Sequence, residues 1–121
     1  MFLLKISSSF AAAHRISGYP GKCGEIHGHN YGVIVILKAE GLGELDMAFD
    51  FAEAKRILNQ VLEPLDHKLL NDLLPFKSVN PTAEKLAEYI YKVLEGKIPD
   101  GISVYQVEVA ETPTNSVIYR R

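Results

Sequence analysis

The chain has 121 residues, 47% of them hydrophobic and 23% charged, the balance of a globular protein rather than of a disordered polymer. Thirteen Lys and Arg against fifteen Asp and Glu leave a formal charge of −2, with no basic run and no tryptophan, which argues against a nucleic-acid platform. The single cysteine, Cys23, rules out an intrachain disulfide, and no apolar run approaches the length of a membrane span. The expectation is therefore a soluble cytoplasmic protein with one domain over residues 1–121.

From the N-terminus, Phe2, Leu4, Ile6, Ser8 and Phe10 alternate, which predicts a strand from Phe2 to about Ala13. Turn formers follow in Ser17-Gly18-Tyr19-Pro20-Gly21-Lys22. The run Tyr31-Gly32-Val33-Ile34-Val35-Ile36-Leu37 is apolar at consecutive positions, so this second strand needs cover on both faces. The chain's own helices can cover one face and a neighbouring subunit the other; the alternative is a strand buried inside a monomer. Asp50 is placed to cap a helix with Glu53 in capping-box position, and Phe51, Ala54, Ile57, Leu58, Val61 and Leu62 recur at helical spacing. A second helix is predicted from Pro81 or Thr82, capped by Asn80 or Thr82. It buries Leu86, Ala87, Ile90, Val93 and Leu94 and closes at Gly96, a residue without Cβ. Turns at Pro99-Asp100-Gly101 and Thr112-Pro113-Thr114-Asn115 bound strands from Ile102 to Glu111 and from Ser116 to Arg120. Two strands, two helices and two strands make an α+β fold, a four-stranded antiparallel sheet with both helices on one face.

Four histidines and the cysteine carry the chemistry. His27 and His29 are two apart, and in an extended segment residues i and i+2 point the same way, so their imidazoles converge. His14 ends the first strand, where an antiparallel hairpin can bring it beside them. Three neutral imidazoles on one face make a catalytic-type zinc site with an open fourth position. Cys23 reads as a packed thiol, as a fourth ligand closing a structural site, or as a catalytic thiolate with a lowered pKa. Asp66-His67 is either a pair of solvated residues or a histidine oriented by a carboxylate for proton transfer. On an alternating strand Glu111 shares a face with Val109, Val107 and Tyr105. It is either wet or a carboxylate at the end of an apolar row, able to accept from a heterocycle's ring N–H and amino groups.

In order along the chain stand Phe10-Ala11-Ala12-Ala13-His14-Arg15, Cys23 with His27-Gly28-His29-Asn30-Tyr31, Asp50-Phe51, and Leu65-Asp66-His67 with Leu70-Asn71. Asn80-Pro81-Thr82 with Glu84 and Glu111-Thr112 followed by Tyr119 complete the set. This set resembles the 6-pyruvoyl-tetrahydropterin synthase family, and within it the 6-carboxy-tetrahydropterin synthase branch that serves queuosine-type pathways. The three residues between Cys23 and His27 match the carboxy branch, where pyruvoyl-forming relatives have a longer gap.

The resemblance implies zinc held by His14, His27 and His29, Cys23 as general base, Asp66 and His67 as its proton-relay partner, Glu111 as pterin anchor, and Thr82 at the pocket wall. It implies the tunnelling T-fold, in which subunits join their sheets into a barrel with active sites at the interfaces, here as a homohexameric dimer of trimers. The implied reaction is a lyase conversion of 7,8-dihydroneopterin triphosphate to 6-carboxy-5,6,7,8-tetrahydropterin with loss of triphosphate and acetaldehyde. Pyruvoyl-forming chemistry, aldolase-like cleavage of dihydroneopterin (given Glu25 between Cys23 and His27) and a non-catalytic zinc-stabilised module are the alternatives. No nucleic-acid or membrane partner is expected.

Overall fold

A computed structural model describes residues 1–121 apart from the side chain of Cys23. Strand β1 (Phe2–His14) and strand β2 (His27–Ala39) form a long antiparallel pair, in register from Phe2 opposite Ala39 to His14 opposite His27. Helix α1 (Phe51–Leu62), a two-residue strand β3 (Lys68–Leu69), helix α2 (Ala83–Glu95), β4 (Ile102–Thr112) and β5 (Asn115–Tyr119) follow. The sheet order is β3-β1-β2-β4-β5, and it does not close on itself within one chain. No helix among the described residues is long and apolar enough to cross a membrane.

The four expected strands are all present. The fifth, β3, is an addition to the predicted sheet: it pairs parallel with β1 at Ala12 and Ala13. Two residues carry no periodicity, so no pattern announces such a strand.

Both helices pack on one face. Leu4, Ile6, Phe10 and Ala12 of β1, Tyr31, Val33, Val35 and Leu37 of β2, and Val107 and Val109 of β4 meet Ile57, Leu58, Leu86 and Ile90 in one core. The opposite face of β2 carries Ile34 and Ile36, only half-buried in the single chain.

Asp50 caps α1 by accepting the Ala52 N–H at 2.9 Å. Glu53 does not close a capping box; its carboxylate pairs with Arg56 one turn on, at 2.6 and 2.9 Å. Phe51, at 57% exposure, falls outside the predicted apolar stripe. Thr82 is the cap of α2, accepting the Lys85 N–H at 3.1 Å. Gly96 does end α2, but at φ −77° it uses none of glycine's left-handed freedom. On β4, a bulge opposite Ile36 and Leu37 interrupts the alternation. Val104 rather than Tyr105 therefore sits opposite Leu37, and Tyr105 lies under the Arg120 guanidinium instead.

A candidate metal centre and its surroundings

The unbroken β1–β2 register puts His14 directly opposite His27, and His29 opposite Ala12. All three histidines share the face that carries the core: His14 is 1% exposed, and His27 and His29 are half-buried. Each offers a ring nitrogen lying within 4.8 Å of the other two, and this is the metal-capable cluster found among the described residues.

Hydrogen bonding fixes the rings in a state suited to a cation. His14 Nδ1–H donates to the Pro81 carbonyl at 2.7 Å and His27 Nδ1–H to the Glu25 carbonyl at 2.8 Å, leaving both Nε2 atoms with a free lone pair. Those two atoms stand 3.0 Å apart. Two lone pairs cannot bond each other, so the contact calls for a positive centre between them. His29 Nε2 is buried with no hydrogen-bond partner among the described residues. The cluster fits a zinc ion bound by three neutral imidazoles. Burial holds the His29 pKa below its ordinary value and the neighbouring His14 and His27 act the same way, against the opposing pull of Glu111. A neutral imidazole is the ligating form.

Glu111 is neither fully wet nor deeply buried: its Oε2 lies 3.4 Å from His29 Nε2, at the mouth of the cluster. Asp66 and His67 do meet, at 2.9 Å between Oδ2 and Nδ1. They sit on the outer edge of β1, where Asp66 Oδ1 accepts the Ala11 N–H at 2.9 Å and the His67 N–H donates to the Ala11 carbonyl at 2.6 Å. His67 has φ +59°, a left-handed conformation that costs a non-glycine residue energy and that these edge bonds enforce. The Ala11 N–H first, and then His67, hold the Asp66 carboxyl below its ordinary pKa. Its stabilising contribution is therefore complete at neutral pH and disappears as pH falls through that lowered value. His67 itself is 81% exposed in the single chain.

Thr82 lies beside the cluster through Pro81, with its hydroxyl engaged as the α2 cap. The thiol of Cys23 lies outside the described residues. The backbone around it forms a short 3-10 turn, Lys22–Gly24, and a Cβ on Gly24 would collide with the Tyr19 carbonyl oxygen, so the loop closes only on glycine there.

Several contacts around the site were not read from the sequence. The Pro81 and Glu25 carbonyls orient imidazoles through backbone atoms that any residue would supply. Asn71 and Asn80 bind the loop after β1. Tyr31 stacks on Phe10 with ring centroids 4.9 Å apart and abuts His29 at 5.3 Å, and its hydroxyl is fully buried without a partner among the described residues. Burial pushes the Tyr31 pKa up. Tyr31→Phe should therefore raise stability by about 1 kcal/mol, since it removes a desolvated hydroxyl and keeps the ring. The check is the urea midpoint at equal zinc loading and protein concentration; a lower midpoint would mean that the hydroxyl has a partner.

A model of the 6-pyruvoyl tetrahydropterin synthase family matches residues 3–121. The chain is 35% identical over 124 residues to the 6-carboxy-5,6,7,8-tetrahydropterin synthase of Synechocystis sp., a match covering 98% of this chain and 93% of that one. It is 35% identical over 126 residues to the 6-pyruvoyl tetrahydrobiopterin synthase of Homo sapiens, covering 93% of this chain and 86% of that one. Among solved structures, the 6-pyruvoyl tetrahydropterin synthase of Caenorhabditis elegans is similar with a TM-score of 0.88 at 31% identity, over 99% of this chain and 95% of that one.

Proposed function

We infer the function from the family to which this chain belongs, the 6-pyruvoyl tetrahydropterin synthase family, lyases that act on pterins. On that footing we propose that it is a zinc-dependent lyase converting 7,8-dihydroneopterin triphosphate and one water to 6-carboxy-5,6,7,8-tetrahydropterin, with release of triphosphate and acetaldehyde. The observation that carries this reading is the convergence of His14, His27 and His29, with the outer N–H groups of His14 and His27 already committed to backbone carbonyls. The three-residue gap between Cys23 and His27 supports the carboxy branch over the pyruvoyl-forming one.

Zinc held by His14, His27 and His29 would supply Lewis acidity, acidifying the C–H bond beside the substrate's side-chain hydroxyls. Cys23, as thiolate, takes that proton. His67, oriented through Nδ1 by Asp66, keeps Nε2 free to carry protons to and from the rest of the substrate. Glu111 accepts from the pterin's ring N–H and amino group, which fixes the ring's orientation at the mouth of the cluster. Thr82 lines the pocket wall with a hydroxyl that still has its proton to donate. Copies of the chain join their open sheets into a barrel, as a dimer of trimers, in a queuosine-type pathway. The free edge of β1 and the half-buried Ile34 and Ile36 support that assembly.

The test is product identification by mass spectrometry after incubating the zinc-loaded protein with 7,8-dihydroneopterin triphosphate and, separately, with unphosphorylated dihydroneopterin. Acetaldehyde and 6-carboxy-tetrahydropterin are expected from the first and nothing from the second. A product that keeps its three-carbon side chain moves the protein to the pyruvoyl-forming branch, and glycolaldehyde from dihydroneopterin moves it to aldolase-like chemistry. Absence of all three overturns the lyase reading.

A further inference from the structure

The edge of β1 opposite β2 has a full row of hydrogen-bonding groups to satisfy, and β3 covers it only at Ala12 and Ala13. Beyond the end of the strand the pairing continues by other means. The Arg15 N–H donates to Asn71 Oδ1 at 2.9 Å while Asn71 Nδ2 donates back to the Arg15 carbonyl at 3.0 Å. Two residues on, the Ser17 N–H donates to Asn80 Oδ1 at 2.8 Å and Asn80 Nδ2 donates to the Ser17 carbonyl at 3.1 Å. A primary amide offers one acceptor and one donor side by side, as a strand's backbone does, so each asparagine acts as a single rung. Arg15 and Ser17 are spaced by two, the period at which a strand turns its groups to the same edge. Two side-chain amides from the segment between the helices thus extend β1 by three residues, to Ser17.

What leaves this extension is the loop to β2, which carries the Lys22–Gly24 turn. That turn is packed through Gly24 against Tyr19, and the Tyr19 N–H bonds back to Ile16 at 3.3 Å. The loop's exit from β1 is therefore fixed by Asn71 and Asn80, and its return by the β1–β2 register.

We propose that Asn71 and Asn80 are positioning residues that set where the Cys23 segment stands relative to the His14, His27 and His29 cluster. This rests on the reading of Cys23 as the proton-abstracting thiol. Asn71→Asp and Asn80→Asp test it isosterically: the carboxylate still accepts the backbone N–H but turns an oxygen toward a carbonyl that had received a donor. The three histidines themselves stand on the continuous β1–β2 ladder, which neither asparagine forms, so zinc stoichiometry and the visible spectrum of the cobalt-substituted protein should match the unmodified protein. The expected changes are a fall in kcat of roughly 10- to 100-fold with KM changed less than about threefold, and faster alkylation of the sole cysteine by iodoacetamide. Should an aspartate variant fail to accumulate, Asn80→Ala removes both bonds without adding a charge and should show the same changes. If the variants lose melting temperature while kcat and alkylation rate stay within about twofold, the asparagines serve the fold alone and the proposal is overturned. Cys23→Ser separates the two ideas. Full turnover in that variant removes the thiol's proposed role, whereas the alkylation rates of the asparagine variants still report whether the loop has moved.

Discussion

His27→Ala should leave the protein unable to hold stoichiometric zinc, with turnover lost by more than the roughly 10- to 100-fold that removing an outer-shell partner of a metal costs. His27 is the hinge of the cluster: it lies opposite His14 across the β1–β2 ladder and two residues from His29, and its Nε2 is 3.0 Å from that of His14. Without it, two imidazoles remain on separate strands, too few for a tetrahedral site. Metal analysis after dialysis against a chelator, followed by readdition of zinc, is the measurement. The unmodified protein should regain its activity and the variant should not. A variant that keeps one zinc per chain through dialysis would mean that the ion is held elsewhere. Cys23→Ser provides the contrast. As a proton-abstracting group its loss should abolish turnover with zinc retained, whereas a structural site of one cysteine and three histidines would lose metal and stability together.

Equally large is the effect expected from mixing two inactive chains. Cys23→Ala and His67→Ala should each be dead alone, yet co-refolded together they should recover roughly a quarter of the unmodified activity. That fraction follows from random assembly, if each site takes its thiol from one chain and its histidine from another, since half the chains carry each intact group. The geometry behind the expectation is that Asp66 is bound to the outer edge of β1 while His27 and His29 lie on β2. The two groups are thus about 9–10 Å apart at ordinary strand spacing. His67, 81% exposed, has little of its own chain around it. A mixture no more active than its components would place every group of a site within one chain.

The features legible in the sequence were those with a period or a spacing. The alternation of β1, the two-residue step between His27 and His29, and the helical recurrence from Ala54 to Leu62 each follow from geometry that one residue type imposes on its neighbours. The convergence of His14 with the other two was also readable, because a continuous antiparallel ladder leaves no other place for it. What escaped notice depended on partners distant in the chain. The left-handed turn at His67 comes from bonds to Ala11, more than fifty residues away, and nothing local to Leu65-Asp66-His67 announces it. Asn71 and Asn80 belong to the motif set, but their pairing with Arg15 and Ser17 shows only when those distant segments are set side by side. The β4 bulge moved Tyr105 off the expected face because a single unpaired residue shifts the parity of all those before it. Glu53 matched a capping box, and a nearby guanidinium outcompeted the backbone for it.

The parity of the β1–β2 ladder has a consequence for how errors in folding are caught. Leu4, Ile6, Phe10 and Tyr31 face the helices on the same alternation as His14, His27 and His29. A slip of one residue would turn the oily side chains of one strand out to water while parting His14 from its neighbours. No well-packed impostor can therefore carry a disassembled centre by that route: the misaligned chain is unstable for the same reason that it is inactive. Quality control of the chemistry is delegated to the oil.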